Sequence, residues 1–319
     1  MRSSKAPGIG ACVGSGTAAG AEWAFARYEA IRERLPTAVF PAGSRRAVDL
    51  EALAGEFDVF ILDAFGVLNV GETAVPGAPE RVAALSDRGK AVFVLTNGAT
   101  FDESAALEKY RRLGFAFEPR QIVSSRSLLH GALDQFPGGF RWRAAAAPQS
   151  NLGALPGDLR LLADDQSAYE AADGFVLLSS MFWDMARQDL LVASLSDKPR
   201  PVLVGNPDLV APRERGLSLE PGYYAHDLAD RTGIAPVFFG KPYRNAFDEV
   251  HRRLTAEGRT VSPQRIAMVG DTLHTDILGG AAAGLQTVLV TDHGLFRGLD
   301  AAGFIERSGI VPDFILPTT

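Results

Sequence analysis

Asp63, Thr96, Asn97, Lys241, Asp271 and Asp276 are the residues of this chain whose types and placing suggest chemistry. Asp63 stands in LDAFGVLNVG, directly after the apolar run FDVFIL, and Gly66 follows closely enough to allow a tight turn. A carboxylate at such a strand end is placed to attack an electrophile. Asp271, in VGDTLHTDILGG, supplies a second acid and Asp276 a third. Carboxylates gathered at one sheet edge repel each other unless a cation holds them, and Mg²⁺ is the usual cation beside phosphate. Lys241, in FGKPYRNAF, could neutralise both the nucleophile and a phosphoryl group in transfer. Thr96 and Asn97, after KAVFVL, could donate hydrogen bonds to phosphoryl oxygens. Taken singly, an acid after a strand is usually a turn former and a lysine usually lies on the surface. The weight lies in the whole set standing in this order.

The elements that must position these residues alternate. FDVFIL (57–62), KAVFVL (90–95), RIAMV (265–269) and QTVLV (286–290) are near-continuous apolar runs, the pattern of parallel strands covered on both faces. Between them the spacing predicts helices over 79–87, over 104–113 with Gly114 as C-cap, and around 277–283. Strand and helix in alternation predict an α/β fold, a doubly wound parallel sheet, and such sheets bind ligands at the carboxyl ends of their strands. Further helices are expected over 22–35 and 48–54. The middle of the chain differs: the loops QFPGG, APQSN and LPGD separate short strand candidates FRWRAAA, GFVLLSS and PVLVGN and a helix around 185–195. This predicts an inserted α/β lid over 126–235, between core segments 21–125 and 236–319. Residues 1–20, rich in Gly, Ser and Ala, read as a flexible tail.

Composition narrows the classes. Hydrophobic residues make up 46% and charged residues 22%, ordinary values for a globular protein. A net charge of −6 is the wrong sign for a nucleic-acid partner. No stretch approaches the ~20 apolar residues of a membrane span. The single cysteine, Cys12, leaves neither an internal disulfide nor a cysteine-built zinc site, which suits a reducing cytoplasm.

LDAFGVLNVG, VLTNGAT, FFGKP and GDTLHTDILGGAAAGLQTVLV together resemble the four motifs of the haloacid dehalogenase (HAD) superfamily. More narrowly the chain is similar to subclass IIA, whose large α/β (C2-type) cap lies between the second and third motifs, the NagD-like and p-nitrophenylphosphatase-like branch. NPD at 206–208 and the phrase TGIAPVFFGKP support that likeness. The resemblance covers about residues 55–295. It implies a Rossmann-like core and a Mg²⁺-dependent phosphohydrolase acting on a small phosphorylated metabolite. It makes Asp63 the nucleophile that becomes an aspartyl-phosphate. Mg²⁺ would be held by Asp63, the main-chain carbonyl of Phe65 and Asp271, with Asp276 orienting the metal shell. Thr96 would bind the phosphoryl group with Asn97 supporting its loop, Lys241 would stabilise negative charge, and Asn206 would lie near the substrate. A cap-mediated homodimer would suit the branch.

One position departs from the pattern. Two residues after the nucleophile, phosphatases of this family carry a second aspartate that protonates the leaving group; here it is Phe65. Phenylalanine transfers no proton, so turnover is expected to be slow on alkyl phosphates and less affected on aryl or acyl phosphates. His274 or Glu72 could substitute, although His274 reads first as a solvent-facing residue at a helix start. DAFG also resembles the nucleophile motif of metal-independent 2-haloacid dehalogenases. Those carry a helical cap between the first and second motifs, whereas here that interval is filled by one loop, one helix and one strand. A phosphate-ligand binding or regulatory protein on the same fold is the reading of a different class, and Phe65 is its only support. Among lesser candidates, Ser124, Ser125 and Arg126 read as a helix start, Phe182 and Trp183 as cap core, and Asp184 as their polar neighbour. Tyr223, Tyr224 and His226 read as a packing helix without a chemical role.

Overall fold

The protein is described by a computed structural model over residues 12–13, 17–213 and 216–319. Its main sheet has seven strands, all parallel, in the spatial order Arg45–Arg46, Phe314–Leu316, Gln286–Val290, Ile266–Gly270, Val59–Leu62, Ala91–Thr96, Ile122–Ser124. Both faces are covered, which is why the sequence shows unbroken apolar runs. Phe60, Leu62, Val92, Val94, Ala267 and Val269 enter one core cluster, while Val59, Ile61, Phe93, Leu95 and Met268 enter another. In the middle of the sheet Leu62 pairs with Val269 on one side and with Val94 on the other. This register sets Asp63 and Asp271, each directly after its strand, and Thr96, the last residue of the neighbouring strand, at one edge of the sheet.

A second sheet, of five parallel strands, has the order Val237–Phe238, Val202–Val204, Gly174–Leu177, Arg141–Ala145, Asp158–Leu161. Trp142 and Phe175 are fully buried in it. Gly174 is required there, because a Cβ would lie 2.5 Å from the Trp142 ring. Val237–Phe238, at the start of the segment expected in the core, completes the edge of this second sheet. An antiparallel hairpin, Val210–Pro212 with Leu217–Leu219, extends from it. The architecture is thus a Rossmann-like α/β core, a parallel sheet covered on both faces, carrying a second, smaller α/β domain.

Several expectations need correction. The helix expected over 48–54 is only the 3-10 turn Glu51–Leu53, too short a segment to form more. The first helix runs from Thr17 to Ala30 and gives way to a 3-10 turn, Arg32–Arg34, before Pro36. Of the expected tail, residues 1–11 and 14–16 lie outside the described residues. Cys12–Val13, however, pairs with Leu217–Ser218, so that short piece is strand rather than tail. His274 does not face solvent: it is 2% exposed, lies 2.5 Å from Glu29 Oε1 and stacks on Tyr28 at 4.9 Å. Its burial follows from the turn Leu273–Ile277, a π-helical turn tucked beneath the first helix. No helix among the described residues is long and apolar enough to cross a membrane.

Candidate active site

Asp63 closes the central strand, its own N–H donating to Val269 O at 2.8 Å. The next turn is tight because Gly66, at φ +78°, backs onto Asp271: a Cβ there would fall 2.6 Å from Asp271 Oδ2. Gly294 closes on the same carboxylate from the other side. Asp271 accepts from Thr272 Oγ1 at 2.9 Å and from the Leu295 N–H at 2.7 Å, so both of its oxygens are held. Asp276 sits on the π-helical turn and accepts from the Thr272 N–H at 3.1 Å through Oδ2. Lys241, 1% exposed, reaches between two of these acids, with Nζ 2.5 Å from Asp63 Oδ1 and 2.7 Å from Asp276 Oδ1. Asp276 Oδ1 has no other partner among the described residues.

The charges do not balance. Oxygens of Asp63, Asp271 and Asp276 lie within 4.8 Å of one another, and one ammonium stands among them. Burial raises the Asp63 carboxyl to about 6 against the pull of Lys241, and burial together with Asp276 and Asp63 pushes Asp271 well above the carboxylate range. Burial works against the Lys241 ammonium, but Asp276, Asp63 and Asp208 outweigh it and push Lys241 up. Buried acids that repel each other, with only the Lys241 ammonium to share between Asp63 and Asp276, are the donor set of a hard divalent cation.

The other predicted residues divide between facing the cavity and bracing it. Thr96 lines the cavity, its Oγ1 accepting from the Gly98 N–H at 3.1 Å, which leaves its proton available. Asn97 braces. Its Nδ2 donates to Asp208 Oδ1 and to Lys241 O, both at 2.8 Å, and its Oδ1 accepts from the Lys241 N–H at 2.7 Å. With both amide protons engaged, the Asn97 side chain orients Lys241, while the residue also lines the cavity. Asn206 likewise donates to Glu220 Oε2 and accepts from the Asp208 N–H, shaping the NPD turn. Ser125 donates to Asn97 O, and the Arg126 guanidinium binds Ala99 O and Asn151 O, so both stabilise the loop after Thr96. Phe65 is partly buried on the cavity wall. Trp183 is cap core, and Phe182 is exposed.

The cavity above these groups has a volume of about 640 Å³ and is closed on the cap side by the hairpin bearing Ala211 and Arg213. Sequence reasoning missed Lys109, in the helix Glu103–Arg112, because EKYRR reads as a solvated face. It expected the NPD turn, 206–208, close to the site but gave Asp208 itself no role. Burial raises the Asp208 carboxyl to about 8, opposed by Lys241 and aided by Asp63, while Asn97 holds one oxygen.

Known proteins share this chain's sequence pattern and fold. Residues 60–147 match the model of a haloacid dehalogenase-like hydrolase and residues 238–317 a HAD-hydrolase-like model. The chain is 33% identical over 302 residues to a glycerol-3-phosphate phosphatase of Gallus gallus, covering 85% of this chain and 94% of that one. A possible sugar phosphatase of the HAD superfamily from Cytophaga hutchinsonii superposes with a TM-score of 0.77 at 26% identity, over 86% of this chain and 98% of that one. A glycerol phosphate phosphatase from Mycobacterium tuberculosis, in complex with magnesium, shares the fold at TM-score 0.64 and 21% identity, over 83% of this chain and 76% of that one. The chain belongs to the HAD-like hydrolases, in the NagD-like subclass IIA branch. It is a phosphatase of that family.

Proposed function

We propose that this phosphatase is Mg²⁺-dependent, hydrolyses a small phosphorylated metabolite through an aspartyl-phosphate on Asp63, and turns over slowly for want of an acid at Phe65. The observation that carries the reading is Lys241, buried between Asp63 and Asp276 at the floor of a cavity that also exposes Thr96. Asp63, Asp271, the carbonyl of Phe65 and, around them, Asp276 would hold Mg²⁺, which supplies positive charge against the phosphoryl oxygens. Lys241 holds Asp63 in place and offsets the negative charge that grows on the phosphoryl group. Thr96 donates its hydroxyl proton to a phosphoryl oxygen. An Asp63 oxygen forms a bond to phosphorus as the ester oxygen leaves. Water then attacks the phosphorus, releases phosphate and restores the carboxylate.

The leaving oxygen needs a proton that Phe65 does not supply. Asp208 would meet that need only in part, standing farther along the wall than Phe65: its carboxyl lines the cavity, is raised by burial to about 8, and is anchored through one oxygen only. The segment 126–235, with Val237–Phe238 finishing its sheet, would close over the floor, exclude water and select the substrate.

The test is phosphate release from p-nitrophenyl phosphate, acetyl phosphate and glycerol 3-phosphate, with and without Mg²⁺. The expected result is slow, Mg²⁺-dependent release, fastest with the two good leaving groups and lost in Asp63→Asn. If wild type and Phe65→Asp are both inert on every ester, the chain is instead a phosphate-ligand binding protein. Halide release from a 2-haloacid without metal would favour the dehalogenase reading.

A further inference from the structure

The cavity wall carries a cation that the proposed reaction does not use. Lys109 is 9% exposed, whereas Arg111 and Arg112 on the same helix are exposed. Its ammonium lies 4.6 Å from the centre of the Phe65 ring and, among the described residues, takes part in no ion pair and no side-chain hydrogen bond. Arg213, from the cap hairpin, brings its guanidinium to 5.9 Å from the same ring. Both side chains line the cavity that holds Asp63 and Lys241.

Burying a lysine without a partner is costly, and a contact with an aromatic face recovers only part of that cost. Among the described residues the nearby acids do not complete it. Glu72 is exposed at the rim, and Glu220 is already held by Arg213 at 2.9 Å, Ser218 at 2.6 Å and Asn206 at 3.1 Å. Burial accordingly pulls the Lys109 ammonium below the ordinary lysine range, with Glu72 opposing and Arg213 and Arg112 adding to it. An anion from solution would act in the same sense as Glu72 and offset the burial and the two like charges.

Resting on the phosphatase reading above, we propose that Lys109 and Arg213 form a subsite for a second anionic group. The substrate then carries a carboxylate or a further phosphate besides the phosphoryl group delivered to Asp63. The Phe65 ring beneath them gives the carbon frame joining the two anions an apolar surface. On this account the residue that removes the acid also supports the pocket that selects the substrate.

The experiment compares kcat/KM of the full chain with Mg²⁺ for 3- and 4-carboxyphenyl phosphate against the matching carbamoylphenyl phosphates, which differ by one charge. At least one acid is expected to exceed its amide by about tenfold, through KM, the scale of a charge-assisted hydrogen bond. Lys109→Met should bring that ratio close to one, Lys109→Arg should keep most of it, and Arg213→Gln should reduce it. Equal values for acid and amide in wild type, or a preference untouched by Lys109→Met, would overturn the subsite. Should Lys109→Met fail to fold, Arg213→Gln, at an exposed residue, decides in the same two ways. If wild type cleaves none of the four esters, the phosphatase reading fails on its own. Titration with 4-carboxybenzylphosphonate and its amide then tests the subsite: tighter binding of the acid supports it and equal binding refutes it.

Discussion

At the floor of the cavity each charged group is gripped by protein: Lys241 lies against Asp63 and Asp276, and Asp271 accepts from Thr272 and Leu295. On the wall, Phe65 offers no proton, Lys109 has no carboxylate of its own among the described residues, and Asp208 is held by a single amide. The floor's acids come from the core, at the ends of adjacent parallel strands and the turns beside them, and Lys241 joins them from the segment just after the second sheet's strand Val237–Phe238. The wall is shared between core and cap, with Arg213 and Asp208 contributed after the second sheet's strand Val202–Val204. The contrast separates two tasks. A preorganised floor can handle any phosphoryl group, because the charge it meets is always the same. A wall left incomplete until a ligand arrives can tell one ester from another.

The largest effect should come from the floor. Asp63→Asn keeps the shape and removes the attacking charge, so phosphate release should fall about 10⁴-fold or more, as when other covalent nucleophiles are deleted. Residual turnover within tenfold of wild type would place the nucleophile elsewhere. The comparison can also be broken thermodynamically. Lys241→Met leaves Asp63 and Asp276 buried without their cation, which should cost about 3–5 kcal/mol in urea unfolding without Mg²⁺. Lys109→Met, by contrast, removes a cation that has no such partner and should change stability by no more than about 1 kcal/mol. Equal costs would mean that the two lysines are not differently built.

The floor was legible in sequence and the wall was not. Parallel strands covered on both faces must be apolar throughout, so the acids at their ends stood out in VFIL-D and IAMVG-D. The register between adjacent strands then left little freedom in where those acids meet. Lys109 looked like any charge on a helix, because Arg111 and Arg112 beside it are exposed; only packing against Phe65 distinguishes it. Asn97 was read as meeting phosphate, and no local pattern could show that its amide spans to Lys241 and Asp208, both far along the chain. The strands Arg45–Arg46, Asp158–Leu161 and Val237–Phe238 went unseen because edge strands this short carry no periodicity. His274 was misplaced for a similar reason, since the helix that buries it lies more than two hundred residues earlier in the chain.

Next in size is the repair of the wall. Phe65→Asp should raise kcat on an alkyl phosphate about 100-fold, the lower end of what a positioned acid supplies, with a smaller gain on p-nitrophenyl phosphate. The new carboxylate would stand beside Lys109, so the same substitution should lower the preference for a second anion. A gain in rate with that preference intact would mean that Lys109 and Phe65 act independently.

The smallest effect is the most specific. Asp208 is held protonated by burial, aided by the charge on Asp63, up to about pH 8, well above an ordinary aspartate. As the proton donor, it should hold the rate on a poor leaving group level from about pH 6, below which Asp63 loses its attacking charge, to about pH 8, and let it fall about tenfold per unit above, as the Asp208 carboxyl ionises. The direction follows from the raised value: the protonated form is the active one and is lost as pH rises. Asp208→Asn can still accept the Asn97 hydrogen bond but has no proton to give, so its profile should be lower and lack that alkaline limb. Acetyl phosphate, whose leaving group needs little protonation, should show almost no difference between the two proteins. A limb that survives in Asp208→Asn would assign the proton to another group on the wall, and the buried Lys109 ammonium would be the next to test.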